Sequence, residues 1–366
     1  MNTNNLHTLI DRYEKIYCKI NDSENNEKFK WKAVQGFQEV WFSESAKDLP
    51  FHQLFDLAMK QSSVLINNSM ISPTTGIVKM AVVRPAEVED LVRNVLFRPY
   101  TTIDELQNNM DRFLDKIEAI RQELFPQFYR YKQERHAASC YLAFLNPEKH
   151  YIYRYSEAEE FAKYIEYGKD LGSGANFSLA NYYEMADLVV EALKEHKTLL
   201  EKYDALIKDD PHYYPDESLH LLAFDLMYCC RCYNLYSGLK HASKKESIQA
   251  YTLQKLQEKE LAERQAKILE LENQIHQIDI QISAYREISL LNVEVTQAKY
   301  GKGVVVEQND EQVVVQFDSV RTSYIVDKKY PMRPRFVDDD SIVAALTHLS
   351  TLKLERKQLL KKIDSI

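Results

Sequence analysis

Arg130 and His136 stand six residues apart in a region of helical pattern. On a helical bundle, such a pair contributed by two copies of the chain could polarise a phosphodiester. Cys229, Cys230 and Cys232 crowd the segment DLMYCCRCYNLY. Zinc needs four tetrahedral ligands, and adjacent cysteines on a helix point about 100° apart, so these three read as structural thiols. His212, Asp216 and His220 are also ligand types, but they straddle a Pro-containing turn and a helix start. Asp216 is better explained as the acid at that helix's N-terminus. The stretch GKDLGSG at 168–174 clusters glycines without a following Gly-Lys-Ser/Thr, and reads as a flexible connection rather than a phosphate loop. No Gly-x-Ser-x-Gly, His-Glu-x-x-His or Asp…Glu-x-Lys core stands in a plausible strand context. The residues therefore offer no recognisable catalytic centre, and neither a cofactor nor a metal is expected.

A second group suits binding better than catalysis. Lys299, Lys302, Arg321, Lys328, Lys329, Arg333 and Arg335 face Glu307, Asp310, Glu311, Asp318 and Asp327 over the same stretch. In a chain whose formal net charge is −8, this is a locally basic segment. Contacts from it to phosphates would position a nucleic acid without reading its sequence. Tyr300, Tyr324 and Phe336 could add stacking surfaces. A protein that coats nucleic acid indiscriminately would carry the opposite overall charge, so any such contact must be local.

The elements that would hold these residues are mostly helical. Only 8 of 366 residues are Gly, which disfavours glycine-rich β architectures, while 24 Tyr and 15 Phe supply large apolar surfaces. Leu6, Leu9, Ile10, Tyr13, Ile16, Tyr17 and Ile20 form one helical face. Helices are further expected over 29–42, 54–66, 86–97, 136–145, 157–167, 179–203 and 216–235, with 70–75 (MISPTT) as a loop. Thr102 and Glu105 make a capping box opening a long helix that Pro126 ends. The five cysteines lack framework spacing and the N-terminus has no apolar core, so a cytoplasmic protein with reduced thiols, no leader and no membrane span is expected.

From Ser247 the composition turns to Gln, Glu, Lys and Leu. Leu261, Ile268, Leu271, Ile275, Ile278, Ile282 and Tyr285 form a heptad seam interrupted by Arg264. A helix over 248–291 would reach ~66 Å at about 1.5 Å per residue. β-branched alternation around turn clusters at 300–303 and 308–311 follows, and then a helix from Asp340 with its own stripe of Ile342, Leu346, Leu349, Leu352, Leu359 and Ile363. The expected architecture is mainly α, in four parts. A helical bundle occupies 1–245 and a coiled-coil helix 246–292. A small β-barrel occupies 293–338 and a return helix 339–366. The two long helices would pair as an antiparallel hairpin with the barrel at its tip; a parallel dimeric coiled coil is the alternative.

Several blocks carry resemblances to known families. FKWKAVQGFQEVWF (29–42), RPAEVEDLVRNVLF (84–97), RHAASCYLAFLNPEKHYIYRYSEAEEFAK (135–163), NYYEMADLV (181–189) and DESLHLLAFDLMY (216–228) resemble, in motif order, the helical region preceding the AAA module of McrB-like restriction ATPases. That resemblance implies a prokaryotic antiviral or restriction context, although the ATPase itself is replaced here by a coiled coil. AKYGKGVVVEQNDEQVVVQFDSVRTSYIV resembles a KOW/Tudor-type SH3-like barrel, a fold that holds nucleic acid in some proteins and polypeptides in others. Arg130 and His136 are similar in spacing to the pair of HEPN ribonucleases. Together these imply a non-catalytic adaptor or nucleic-acid-binding component of such a system. Its expected partners are nucleic acid, DNA foremost, and proteins such as an ATPase or nuclease of the same system; a homo-oligomer is compatible with the coiled coil. The alternatives are a protein–protein scaffold without nucleic-acid binding and a HEPN-like ribonuclease.

Overall fold

The computed structural model describes residues 1–22, 24–284, 289–309, 312–325 and 340–366. Among these the chain is mainly helical, with fourteen α-helices and one small antiparallel sheet near the C-terminus. No helix among them is long and apolar enough to cross a membrane. The chain divides into two compact units, Met1–Leu253 and Gln254–Ile366.

The first unit is a bundle around one continuous aromatic-rich core. α1 (Thr3–Ile20) opens on Asn2, whose side chain accepts from the Asn5 N–H, and buries Leu6, Leu9, Ile10, Tyr13, Tyr17 and Ile20. α2 (Phe29–Trp41) buries Trp31, Val34, Phe37 and Trp41. The expected helix over 54–66 is two pieces, α3 (Phe51–Met59) and α4 (Ser63–Ile66). The break lets the buried Ser62 hydroxyl donate to the Ala33 carbonyl at 2.8 Å. The expected loop at 70–75 gives way at Pro73 to α5 (Pro73–Val83), with proline at the first helical position, where its missing N–H costs nothing. α6 (Pro85–Asp90) continues as a π-helical turn, Leu91–Leu96.

Thr102 caps α7 (Ile103–Leu124), accepting from the Glu105 N–H at 3.2 Å. Glu105 reaches back one residue further than the standard box, to the Thr101 N–H at 2.9 Å. Next come α8 (Arg135–Leu145), α9 (Tyr155–Tyr164), α10 (Leu179–Glu195), α11 (Lys197–Tyr203) and α12 (His220–Cys232). α12 starts later than its apolar pattern suggests. Asp216 and Leu219 both have positive φ, a local turn that sets the Asp216 carboxylate ahead of the helix.

α13 (Lys244–Ala284) is one 41-residue helix that crosses the boundary between the units. Its first turns belong to the bundle. Lys244 pairs with Glu159 at 3.2 Å and Asp170 at 2.6 Å. Tyr251 lies so close to Gly168 that a β-carbon there would meet its side chain at 2.2 Å. This contact ties the start of α13 to the bundle.

In the second unit β1 (Glu294–Gln297), β2 (Gly301–Gln308), β3 (Gln312–Phe317) and β4 (Arg321–Ile325) form an antiparallel meander in sequence order. Val295 pairs with Gly303, Gly303 with Phe317 and Val305 with Val315, and a bulge follows at Val305/Glu307. Val295, Val305, Val313, Val315 and Phe317, with Leu290, make its core. Gly301 has φ +76°, and a β-carbon on Gly303 would strike the Phe317 ring at 2.6 Å, so both glycines of the YGKG turn are structural. α14 (Asp340–Asp364) meets α13 through Arg356, which binds Asp279 at 2.6 Å. Ile275 and Leu352 are the apolar side chains of these helices that are buried among the described residues.

Candidate functional site

Of the seven basic residues of the 293–338 segment, Lys299, Lys302 and Arg321 are described; Lys328, Lys329, Arg333 and Arg335 lie outside the described residues, as do Tyr285 of the heptad seam and Phe336. All three described cations are exposed. Strand alternation explains this for Lys302, which pairs with Thr296 on the face opposite the Val295–Gly303–Phe317 core row. Lys299 sits in the turn before β2 with its ammonium 5.0 Å from the Tyr300 ring centre. Arg321 opposes Gln316 on β3 and forms an ion pair with Glu307, so part of its charge is already compensated. Tyr300 turns inward, its ring 5.5 Å from that of Phe317, which leaves it half-buried rather than an open stacking platform. Tyr324 is half-buried against the same core.

Arg130 and His136 are engaged with different partners. Arg130 donates to the Ser72 hydroxyl at 3.0 Å, and its carbonyl accepts from the Ser72 N–H at 2.6 Å. His136 Nδ1 lies 2.7 Å from the Tyr153 carbonyl and Nε2 lies 2.9 Å from the Leu65 carbonyl. Burial pushes the imidazole pKa down, and the two carbonyls oppose that shift. Both ring nitrogens point at backbone carbonyls, and a neutral imidazole donates to one of them at a time, so neither nitrogen is placed to meet a substrate as a general base must. His136 borders an open cavity of about 680 Å³, whose lining does not include Arg130. The charged groups around it are largely self-neutralised, with Arg135 on Asp111 and Lys132 3.8 Å from Glu134.

The three cysteines of α12 diverge, with Cys229 and Cys230 buried and Cys232 exposed. His212 contacts Asp210 at 2.8 Å, and His220 faces the Pro147 carbonyl at 2.9 Å. Asp216 accepts from the N–H groups of Leu221 at 3.2 Å and Leu222 at 3.0 Å, in the first turn of α12. Burial pushes its pKa up to about 7, while those two N–H bonds pull the other way. The three side chains thus serve three separate local structures.

A buried ionic cluster carries more chemistry than any of these. Lys30 and Asp225 are both fully enclosed and paired with each other. Glu27 accepts from the same ammonium at 2.6 Å. Tyr13 donates to Asp225, Tyr233 donates to Glu27 at 2.8 Å, and the Cys229 thiol lies 3.5 Å from Asp225. The ammonium also sits 4.1 Å from the centre of the Tyr228 ring. Burial lowers the Lys30 pKa, but Asp225, Cys229 and Glu27 outweigh it and hold the side chain charged beyond the usual lysine range. Ligand atoms of Glu27, Asp225 and Cys229 lie within 4.8 Å of one another, a spacing suited to a metal. Lys30 bonds both carboxylates, so this cluster already holds its own cation.

Sequence reasoning passed over this cluster although its signal was present. Lys30 occupies the same helical stripe as Val34, Phe37 and Trp41, and Asp225 interrupts an otherwise apolar run, LLAFDLMYCC. A charge on each of two buried stripes calls for a partner. The chain matches no family model, no curated protein and no solved structure.

Proposed function

We propose that this protein is a non-catalytic binding component whose C-terminal unit contacts nucleic acid, DNA foremost, while its helical unit engages protein partners. The observation that carries this reading is the contrast between the two sets of charged side chains. The catalytic-type groups singled out in the bundle are spent on internal hydrogen bonds. Lys299 in the turn before β2 and Lys302 on β2 stand exposed, and neither has an ion-pair partner among the described residues. Lys328, Lys329, Arg333 and Arg335 continue the basic stretch in sequence. The meander and its YGKG turn suit an SH3-like barrel. The blocks resembling the McrB-like helical region support a restriction or antiviral setting, in which an ATPase or nuclease would be the partner.

The arm is part of the proposal. Asp279 of α13 reaches Arg356 of α14, while the earlier Gln274 shares a cavity with the later Lys362. Advancing along one helix while retreating along the other supports an antiparallel hairpin bearing the sheet. A second reading, a scaffold that self-associates, rests on a separate observation. Leu261 of the α13 heptad seam is 55% exposed, and Leu253 and Leu256 on adjoining positions are 56% and 53% exposed, apolar surface that a helix of another copy would cover.

Fluorescence anisotropy with labelled duplex DNA, single-stranded DNA and RNA tests the first reading. Binding should weaken steeply with salt and fall at least about tenfold in a Lys299→Glu/Lys302→Glu/Lys328→Glu/Lys329→Glu variant. Absence of binding at low salt removes the nucleic-acid reading. A concentration-dependent oligomer in sedimentation, dissociated by Leu256→Glu/Leu261→Glu, then supports the scaffold.

A further inference from the structure

A second cavity in the bundle differs in kind from the self-neutralised one beside His136. It has a volume of about 350 Å³ and lies between the 97–100 segment leading into α7 and the 145–150 segment leaving α8. Arg98 and Lys149 line it, are exposed, and make no ion pair or side-chain hydrogen bond among the described residues. In a chain with more acidic than basic residues, two cations on one rim form a locally positive patch, with Glu105 acting on Arg98 through space only. No carboxylate is among the residues that line the cavity.

Its floor holds polar groups that are built in. His150 is 5% exposed and Lys149 precedes it on the same turn, whose N–H groups both bond to the Asn146 carbonyl, at 3.1 Å for Lys149 and 3.2 Å for His150. His150 Nδ1 is fixed by the Tyr183 hydroxyl at 3.0 Å, but Nε2 has no hydrogen bond among the described residues. The side-chain amide of Asn146 and the Tyr100 hydroxyl, both on the lining, are likewise without one. Phe97 and Leu145 supply apolar wall, and the Tyr100 ring stands 5.7 Å from that of His150. That nitrogen is not sealed off, so it can exchange a water for a polar group of an occupant.

The chemistry of the occupant follows from these groups. Two cations at a rim fit a phosphate or carboxylate, with Arg able to bind it through two N–H groups. An aromatic and aliphatic wall fits a flat apolar body, and an amide with donor and acceptor fits the polar edge of a heterocycle. The volume is at the lower end for small-molecule sites, larger than inorganic phosphate requires. The absence of a lining carboxylate leaves nothing to hold the magnesium that accompanies longer phosphate chains. We propose that this cavity binds a nucleoside monophosphate, with its phosphate between Arg98 and Lys149 and its base against Tyr100 and Leu145 within reach of Asn146 and His150.

Isothermal titration of the full-length chain with AMP, GMP, CMP and UMP tests this, with adenosine and inorganic phosphate as controls. At least one monophosphate should bind saturably, about tenfold or more tighter than either control. Arg98→Glu/Lys149→Glu should weaken that binding by about tenfold or more. Leu145→Trp, which fills the cavity, should abolish it. Lys299→Glu/Lys302→Glu should leave it unchanged, which separates this site from the nucleic-acid reading of the sheet. Both rim residues are exposed and outside any ion pair or hydrogen bond among the described residues, so the charge-reversed chain should stay folded, with at most a small loss of melting temperature from repulsion at Glu105. The proposal is overturned if none of the four monophosphates saturates at millimolar concentration. It is equally overturned if a control binds as tightly, or if the charge-reversed variant binds like the wild type.

Discussion

Removing the Asp225 carboxylate strands the Lys30 ammonium in a core where Glu27 alone remains to balance it. Breaking a buried pair in this way costs several times what an exposed pair is worth. Asp225→Ala should therefore lower the unfolding free energy by about 3 kcal/mol or more in urea titration. Lys30→Met/Asp225→Leu, which removes both charges, should recover much of that loss; equal destabilisation would show that packing rather than charge is at stake. Asp216 has the opposite character, a carboxyl that burial keeps protonated up to about pH 7 against an ordinary value of 3.8. Between those values the unfolded chain has released this proton while the folded chain retains it. Its contribution to stability is thus full at low pH and fades as pH rises to about 7, by at most about 1.4 kcal/mol per pH unit. Asp216→Asn keeps an acceptor for one of the two α12 N–H groups, lowers stability at every pH, and should flatten that slope when urea midpoints are compared from about pH 5 to about pH 8. Individual residues were the least legible scale. Spacing alone paired Arg130 with His136, yet what decides their role is that Tyr153 and Leu65, distant in sequence, supply the carbonyls occupying the imidazole.

Elements were read more faithfully, because periodicity is a local property. The faces of α1, α2 and α7 follow from their apolar spacing, and the strands from β-branched alternation. Misreadings fall where tertiary contacts or proline decide. Pro73 resembles a loop residue but begins α5, and the break between α3 and α4 serves Ser62, whose partner Ala33 lies on another helix. The heptad stripe of α13 is used unevenly, with Ile275 8% exposed and Leu261 55%. α14 has 25 residues against 41 in α13, so it can cover only part of that stripe. Within the sheet, Gly303 is the most exacting position, since any side chain there must displace the Phe317 ring. Gly303→Val should cost roughly 1–3 kcal/mol of local stability and raise proteolysis of the sheet, with the helical content of the bundle unchanged by circular dichroism.

At the scale of the molecule, two cores of very different size share one chain. The bundle encloses aromatic residues from all along its length, including Trp31, Phe37, Phe113 and Phe144, whereas the sheet centres on Leu290, Val295, Val305, Val313, Val315 and Phe317. A small core stabilises weakly because little apolar surface is removed from water. Calorimetry should resolve two transitions. Phe317→Ala should shift the lower one and Phe37→Ala the higher, each by roughly 3 kcal/mol; one transition displaced by both would mean that the units unfold as one. The division into a helical part and a β-bearing part was legible from composition. The packing of Tyr251 on Gly168 was not, because it joins residues far apart in sequence.

The cysteines turn that core into its own reporter. Cys18 and Cys232 are exposed, whereas Cys140, Cys229 and Cys230 are buried, and burial pushes all three of their thiols up in pKa. Alkylating reagents attack the thiolate, so the native protein should take up two labels quickly and the remaining three only as the bundle opens. Mass spectrometry of that slow uptake would time the opening around the Lys30–Asp225 pair without any engineered probe. A small molecule that tightens the bundle would lengthen that interval, making the chain's own sulfur a gauge of occupancy.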